Sequence, residues 1–310
     1  MTITIAPDTT APRIRTASVG DRLRDFLPRV VLAPSFALVL FFVYGFILWT
    51  IWLSFTNSRM MPVYEIVGFD SYARLFAQPN WYVALKNLAI FGGLYIGISI
   101  ALGLALAILI DQRIRGEGVF RPIYLYPMAL SFIVTGTAWK WFLNPGFGLE
   151  KTMHAWGWAS FKFDWLINSD MAIYTIVIAG VWQTSGFVMA MFLAGLRGID
   201  AEIMKAAQID GASTFAIYRR IVIPMLRPVF LSAVIVLMHV TIKSYDLVIA
   251  LTGGGPGNAT ELPSTFMYSY TFTRNQMGVG AASAVIMLMT IAAIIVPYLY
   301  SELRETGHAR

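Results

Sequence analysis

The stretch Leu85–Ile110, LKNLAIFGGLYIGISIALGLALAILI, decides the fold of this 310-residue chain. It contains a single charged side chain, Lys86, which lies at its edge. As an α-helix it would be about 39 Å long, whereas the hydrocarbon core of a bilayer is ~30 Å thick. The stretch therefore predicts a transmembrane helix.

Further apolar stretches, each about 20 residues or longer, predict more helices of this kind. They are Val30–Phe55, Ile123–Phe142, Met171–Leu196, Pro228–Ala250 and Gly278–Tyr300. The stretch Ile123–Phe142 is the least uniform, because it contains Pro127 and Lys140. We therefore predict an all-α membrane protein with six transmembrane helices.

The composition agrees with a membrane protein and excludes several classes of function. Hydrophobic residues make up 57% of the chain and charged residues 13%, whereas soluble domains are about 25% charged. Because the chain has no cysteine, a disulfide scaffold, a thiol nucleophile and a cysteine metal site are excluded. His154, His239 and His308 lie too far apart in sequence to predict a metal site.

The basic residues are distributed unevenly between the two sides of the predicted helices. Fifteen of the 23 lysines and arginines lie in the N-terminal tail, after the second and fourth stretches, or near the C-terminus. The other side carries Arg59, Arg74, Lys151, Lys162 and Arg274. Positive residues favour the cytoplasmic side, so residues 1–29 and 301–310 are predicted to be cytoplasmic tails of a membrane domain at 30–300. The net charge of +6 is then explained by the orientation of the chain in the membrane and does not indicate binding to nucleic acid.

A long predicted outer loop, residues 144–170, is rich in aromatic side chains. These are Trp156, Trp158, Phe161, Phe163 and Trp165. Such density beside a membrane is typical of a helix or hairpin that lies at the interface. The alternative is a docking surface for a partner outside the membrane.

A long cytoplasmic connection, residues 197–227, reads RGIDAEIMKAAQIDGASTFAIYRRIVIPMLR. Asp200 is a plausible N-cap for a helix that continues through Ile209, and Gly211 breaks or kinks the run. A second helical stretch begins at Ser213 and leads to Pro224. This element is too polar for lipid and too ordered for a linker, so we expect a partner to contact it.

The same connection resembles the EAA loop of binding-protein-dependent ABC importer permeases. In that family the loop forms a coupling helix that docks on a cytoplasmic ATPase. The resemblance implies that role for Lys205, Ala206, Ala207, Asp210, Gly211, Ala212, Ile221 and Pro224. Lys205 stands where the motif has glutamate, so either the ATPase groove is acidic at that point or Lys205 points to water.

Two other blocks occur in the order found in that family, and the resemblance covers roughly residues 30–300. Tyr245-Asp246 followed by LTGGGPGNAT at 251–260 and then Met277-Gly278 is similar to the sugar-permease branch. The second block is WFLNPGFG at 141–148. Within the branch, these blocks look most like glucose- or mannose-type hexose permeases.

The resemblance implies a type I ABC importer permease in a bacterial cytoplasmic (inner) membrane. The implied partners are a second permease subunit in a heterodimer, two ATPase subunits and an extracytoplasmic sugar-binding protein. The chain lacks G-x-x-x-x-G-K-[ST], so ATP and magnesium are expected on the ATPase and no cofactor, metal or enzymatic activity is expected here. Gly253, Gly254, Gly255 and Pro256 form a tight turn, either alone or as a docking loop for the binding protein.

Polar residues within the predicted spans are candidate sugar contacts, because burying them in lipid is costly without a partner. They are Trp182, Gln183 and Ser185 in the fourth span, and Lys243, Ser244, Tyr245 and Asp246 in the fifth. Lys243 and Asp246 are three residues apart and would alternatively neutralise each other on one helix. Four glycines of the second span, Gly92, Gly93, Gly97 and Gly103, suggest close helix packing.

Two alternative functions belong to other classes. A self-contained secondary transporter or channel would often show an internal repeat, and none is evident. A membrane-embedded enzyme would need clustered carboxylates or histidines, whereas the 17 acidic residues are scattered. The sequence leaves open the exact sugar and which permease chain holds most of the substrate contacts.

Overall fold

A computed structural model describes residues 30–308 except 60, 62, 113 and 114. In these ranges the chain is mostly helical, with an isolated β-bridge between Thr56 and Ile66 and no longer strand. It divides into two compact units, with the boundary between Thr50 and Ile51.

The described helices follow one another in this order: α1 (Val30–Ser54), α2 (Asp70–Phe76), α3 (Pro79–Asp111), α4 (Glu117–Ala129), α5 (Phe132–Phe142), α6 (Leu149–Ala155), α7 (Ala172–Arg197), α8 (Ala201–Ile209), α9 (Thr214–Met225), α10 (Arg227–Ile242), α11 (Asp246–Leu251), α12 (Pro263–Tyr268) and α13 (Met277–His308). A π-helical turn, Ser269–Thr273, extends α12. The predicted all-α fold is confirmed.

Four of these helices are long and apolar enough to cross a membrane: α1, α3, α7 and the Met277–Pro297 part of α13. Two bent pairs pass the same test, α4 with α5 at 100° and α9 with α10 at 63°. Each predicted apolar stretch thus overlaps one long helix or part of one bent pair, and the fifth stretch, Pro228–Ala250, overlaps α10 and continues through α11. Counting each pair as one span gives six candidate spans.

The third predicted span is broken where α4 ends. Leu130 is extended, with ψ of 145°, and the Ser131 hydroxyl accepts a hydrogen bond from the Val134 amide at 3.3 Å to begin α5. The Leu130 carbonyl leaves the helical ladder and accepts from Gln183 Nε2 of α7 at 2.8 Å. Since an unpaired backbone group in hydrocarbon costs several kcal/mol, Gln183 stabilises the break.

The prediction of one continuous helix over Pro228–Ala250 is wrong. The helix α10 ends at Ile242, and α11 begins at Asp246 after a three-residue break. Lys243 and Asp246 therefore lie on opposite sides of the break, and the described contacts include no ion pair between them. The expected neutralisation on one helix is not observed, because the two residues do not share a helix.

The core lies between α3 and α7, and α7 is the more buried of the two, with 72% of its apolar window inside the structure. Phe91 and Tyr95 of α3 stack at 5.2 Å, and Phe192 of α7 packs edge-on against Phe230 of α10 at 4.6 Å. All three spans therefore share one hydrophobic core.

The glycines predicted to allow close packing on α3 behave in two ways. A Cβ at Gly103 would lie 2.6 Å from Val188 Cγ1, and one at Gly92 would lie 3.0 Å from Thr241 Cγ2. At Gly93 and Gly97 a Cβ would meet nothing within 4 Å. The prediction is confirmed for Gly92 and Gly103, whereas Gly93 and Gly97 approach no helix of the described chain.

A glycine on α7 sets the distance to α4. A Cβ at Gly186 would overlap the backbone carbonyl of Tyr124, which has no side-chain freedom to move aside. We expect Gly186→Ala to destabilise the protein by about 1–3 kcal/mol, as overpacked cores do. Thermal unfolding in detergent, followed by size-exclusion chromatography, measures this loss.

Gly97→Ala is the matched control, because its added methyl meets open space on a helix of similar apolar character. Equal melting temperatures for the two variants would contradict the packing of α4 against α7.

Candidate functional site

The helix α8 is defined at its start by an N-cap predicted from sequence. The Asp200 carboxylate accepts a hydrogen bond from the Glu202 amide at 2.9 Å. This bond satisfies one of the amides that a helix start leaves unpaired. Glu202 in the first turn adds negative charge where the helix dipole favours it.

The Asp-Gly-Ala segment ends α8 with a Schellman motif. Gly211 has φ of +79°, its amide donates to the Gln208 carbonyl at 3.0 Å, and the Ala212 amide donates to the Ala207 carbonyl at 3.0 Å. These are the two bonds that define the motif. The chain therefore reverses at Gly211, and Ser213 caps α9 by accepting from the Ala216 amide at 3.3 Å.

The paired alanines of the motif point to different environments. Ala207 is buried in the core cluster, and Ala212 packs against that cluster. Ala206, Lys205 and Asp210 are exposed. Ala207 thus anchors α8 to the membrane domain. Because the side chain of Ala206 is small, it leaves the exposed face of the helix accessible.

The remaining predicted coupling residues lie on α9. Ile221 is half-buried and packs against the core cluster, whereas Pro224 is exposed. The bend of 63° between α9 and α10 falls at Leu226, between Pro224 and Pro228. Pro228 has no amide hydrogen to donate to the Pro224 carbonyl, which is why the helix changes direction there.

Sequence reasoning missed the apolar side chains that this element presents. Ile209 is 87% exposed and Phe215 is 73% exposed, and they flank the Gly211 reversal. Ile203 on α8 is also exposed. The sequence does contain a signal for them, because bulky apolar residues flank Asp-Gly-Ala in a segment that is otherwise too polar to lie in lipid. Together with α8 they form a surface suited to contact with another protein.

An arginine at the end of α7 joins three helix ends beside α8. Arg197 lies 2.7 Å from Glu117 Oε1 at the start of α4 and 3.8 Å from Asp111 Oδ1 at the end of α3. Arg121 adds a second contact to Glu117 at 3.4 Å. The cluster borders a cavity of about 680 Å³ that Ala201 and Met204 of α8 also line. The ion cluster and α8 thus border the same cavity.

Neutral side chains beside this cluster connect the end of α3 to α9. Gln112 Nε2, just after α3, donates to the Tyr218 hydroxyl of α9 at 3.1 Å. Tyr218 lines the same cavity as Arg197. Polar contacts therefore link α3, α4, α7 and α9 around α8, an arrangement that only the tertiary structure reveals.

The candidate sugar contacts of the fourth span fall in two places. Trp182 and Ser185 line a mostly apolar groove of about 560 Å³ beside α4, and Trp182 meets Trp139 edge-on at 5.8 Å. Gln183 is buried and bonded to the Leu130 carbonyl, as described above. It supports the break between α4 and α5 through its amide nitrogen, and its Oε1 is buried with no hydrogen-bond partner in the described part of the chain.

The candidates of the fifth span lie around the break between α10 and α11. Lys243 and Asp246 are exposed, and the Ser244 hydroxyl donates back to the Val240 carbonyl at 2.7 Å. Tyr245 packs against Tyr268 of α12 with ring centroids 4.7 Å apart. The structure therefore does not bring the predicted sugar contacts of the two spans into one site.

The glycine-rich segment after α11 is a tight turn, as predicted. Gly253, Gly254 and Gly257 have φ of +67°, +90° and +61°, conformations that favour glycine. Gly255 and Pro256 lie between them with negative φ. The segment returns to α12, which starts at Pro263, so the turn stands at the end of the fifth predicted span.

The long aromatic loop contains the helix α6, which ends just before the aromatic residues. Its rings form a continuous stack in which Phe163 lies 4.9 Å from Trp165 and 6.5 Å from Phe161. The Glu150 carboxylate accepts from the Phe163 amide at 2.9 Å, which ties the stack to α6. Trp156 remains 78% exposed. Whether the loop lies on lipid or on a partner stays a prediction.

Comparison with known proteins identifies the family. The family described as "binding-protein-dependent transport system inner membrane component" matches residues 97–305. The chain belongs to this family, and the resemblance to ABC importer permeases is confirmed.

Individual proteins agree with that assignment over nearly the whole chain. A probable ABC transporter permease of Pyrococcus horikoshii is 41% identical over 88% of this chain and 95% of its own length. The xylose/arabinose import permease of Haloferax volcanii is 34% identical over 88% of this chain and 86% of its length. A crystal structure of a bacterial ABC transporter involved in import of the acidic polysaccharide alginate contains a chain of the same fold. It has a TM-score of 0.78 at 20% identity, covering 92% of this chain and 98% of that one.

The left-handed conformation at Gly211 leads to a paired test. No atom lies within 4 Å of a Cβ built there, so substitution acts through backbone strain alone. The left-handed conformation is roughly 1–2 kcal/mol less favourable for a β-branched residue than for glycine, whereas asparagine tolerates it. We expect Gly211→Val to reduce recovery of a co-expressed ATPase with the tagged permease, and Gly211→Asn to retain it. Equal losses in both variants would contradict the conformational explanation.

The ion cluster leads to a test of local stability. Arg197→Gln removes the cation shared by Glu117 and Asp111, and because all three side chains are partly exposed the effect is moderate. We expect backbone amides of residues 198–212 to exchange hydrogen about two- to fivefold faster, measured by mass spectrometry. Arg219→Gln is the control, since Arg219 is exposed and forms no ion pair within the described part of the chain. Unchanged exchange in Arg197→Gln would show that the cluster does not position α8.

Proposed function

We propose that this chain is the membrane-spanning permease subunit of an ATP-driven importer and forms part of the translocation path for a sugar. The observation that carries the proposal is the capped helix α8 with its exposed Ile209 and Phe215. It is a partly apolar helix that packs through Ala207 against the core of the spans and borders the same cavity as the Arg197 ion cluster. Such a helix suits a mechanical contact with an ATPase.

A sugar is the substrate class that the relatives and the motifs support. The Haloferax volcanii relative is named for xylose and arabinose, and the LTGGGPGNAT segment resembles sugar permeases. A hexose such as glucose or mannose remains the finer proposal, and it rests on that resemblance. The relative named for pentoses does not add support for a hexose.

ATP binding and hydrolysis, with magnesium, belong in this proposal to a separate pair of ATPase subunits. Closure of that pair would displace α8, and the ion cluster around Arg197 would carry the displacement to α3, α4 and α7. The two states of the permease must differ in their contacts with the ATPase for ATP to bias the equilibrium. A second permease subunit would complete the path, and Lys205 would face either an acidic groove or water.

The proposed orientation places both termini and α8 in the cytoplasm of a bacterial cell. The basic residues near the ends of α3 and α7 support it. The turn at Gly253, Gly254, Gly255 and Pro256 then lies outside, where an extracytoplasmic binding protein would dock. A self-contained secondary transporter is the alternative, and membership of a binding-protein-dependent family favours the importer.

Transport by the complete assembly tests this function. The permease would be reconstituted in proteoliposomes with its partner permease, the ATPase pair and the binding protein, and uptake of D-xylose, D-glucose and maltose would be measured. We expect ATP-dependent uptake of at least one of these sugars. Ile209→Asp should reduce that uptake about tenfold or more, because it places an unpaired charge in the proposed ATPase contact.

The matched control is Ile66→Asp, since Ile66 is 70% exposed between α1 and α2 and lies outside the aromatic loop. It should leave uptake unchanged. Uptake that needs an ion gradient but no ATP would overturn the importer and favour the secondary transporter.

A further inference from the structure

A cavity of about 250 Å³ lies between the glycine-rich turn and the segment formed by α12 and its π-helical turn. Gly253, Gly254 and Gly257 line one side of it, and the rings of Tyr245 and Tyr268 line another. A Cβ built at each of the three glycines would meet no atom within 4 Å, so their backbone borders open space. Because glycine has no side chain, these residues do not fill that space.

The side of the cavity formed by the turn is held rigidly by buried side chains. Asn87 Nδ2 of α3 donates to the carbonyls of Ala259 and Glu261, both at 3.0 Å. The hydroxyls of Thr252 and Thr260 lie 2.7 Å apart, which closes the turn at its base. A preorganised wall of this kind loses little conformational entropy when a ligand binds.

Glu261 gives the cavity an unusual carboxylate. This residue lines the cavity but is only 7% exposed, and its Oε2 is buried with no hydrogen-bond partner among the described residues. A buried carboxylate without partners is costly, and burial raises the pKa of Glu261, opposed in part by the charge of Arg274. The carboxylate therefore has hydrogen-bonding capacity that no described group uses.

The neighbouring arginine does not pair with this carboxylate directly. The Arg274 guanidinium lies over the Tyr270 ring, 4.4 Å from its centroid, and donates to the Tyr270 hydroxyl at 2.8 Å. Arg274 still lines the cavity, so it adds donors beside the acceptor of Glu261. Asn258 contributes an amide to the same lining.

This combination matches the chemistry of a sugar ring better than that of a metal ion. A sugar offers hydroxyls to carboxylate, amide and guanidinium groups, and its C–H face packs on aromatic rings. A divalent cation would need several oxygen ligands and no adjacent arginine, whereas Glu261 is the single carboxylate among the described lining residues. The volume is slightly below the ~300 Å³ lower bound of drug-sized sites, which suits one sugar ring.

We propose that this cavity binds one ring of the transported sugar, outside the membrane-spanning path, as the sugar leaves the binding protein. The proposal rests on the function proposed above and adds a substrate subsite to it. Glu261 accepts hydrogen bonds from sugar hydroxyls, the Tyr245 and Tyr268 pair contacts the ring face, and the glycine turn excludes side chains from the space.

Direct binding to the complete importer tests the subsite. The permease with its partner permease and ATPase pair would be placed in lipid nanodiscs without the binding protein. Saturation-transfer NMR with D-xylose, D-glucose and maltose would then measure affinity for each sugar. We expect the transported sugar to bind wild type, and Glu261→Gln and Tyr268→Leu each to weaken its apparent affinity about tenfold, as loss of a charged hydrogen bond or a ring face would.

Glu261→Gln preserves the side-chain shape, and size-exclusion elution with the ATPase pair verifies that both variants assemble. Glu65→Gln is the matched control, because Glu65 is exposed and lies outside the lining of the cavity. It should bind the sugar as wild type does.

The remaining outcomes separate this proposal from the function on which it rests. If wild type transports a sugar that either fails to bind without the binding protein or binds Glu261→Gln equally well, the subsite is overturned and the importer stands. If the variants weaken capture of sugar-free binding protein but not sugar affinity, the cavity is a docking surface and the proposal is overturned. If wild type transports none of the sugars with its binding protein, the proposed function fails and the subsite with it.

Discussion

A hydrocarbon layer leaves backbone polar groups no partner except the protein itself, and this constraint shapes each interruption of the spans. Where α4 gives way to α5, the freed Leu130 carbonyl is bonded by Gln183 of α7. Where α10 ends, the Thr241 and Ser244 hydroxyls return to the carbonyls four residues earlier. The breaks are therefore stabilised features of the fold. They allow a short chain to combine spans with projecting elements at both ends.

The region around α8 and the region around the glycine turn are both held in place by polar contacts to the backbone or between side chains. In the first region, the Schellman motif at Gly211 and the ion cluster of Arg197 give α8 a defined position while Ile209 and Phe215 stay exposed. In the second region, Asn87 and paired threonines hold a glycine turn whose open side borders Glu261. In each case polar contacts fix the backbone, and the groups left without partners face the position proposed for another molecule.

Much of the architecture was predictable because lipid imposes a simple rule on composition. The apolar stretches, the Asp200 cap and the reversal at Gly211 follow from local patterns, and each is observed. Within the spans, the local pattern did not indicate which groups the polar side chains contact. The sugar contact predicted for Gln183 stays a prediction, and the structure shows that its amide nitrogen bonds the Leu130 carbonyl. Lys243 and Asp246 were placed on one helix that the structure breaks. A hydropathy pattern indicates which segments are buried, but it does not indicate which neighbouring group a polar side chain contacts.

By itself, the sequence determined that this chain is an all-helical membrane protein with six apolar segments, and its motifs indicated the permease family. Both are properties of local composition and spacing, which need no knowledge of distant contacts. Only the tertiary structure decided that Arg197 joins the ends of three helices, that Gln183 supports a helix break, and that Glu261 meets Tyr245, Tyr268 and Arg274 around one cavity. These groupings join residues far apart in the chain, and their distances depend on how the helices pack.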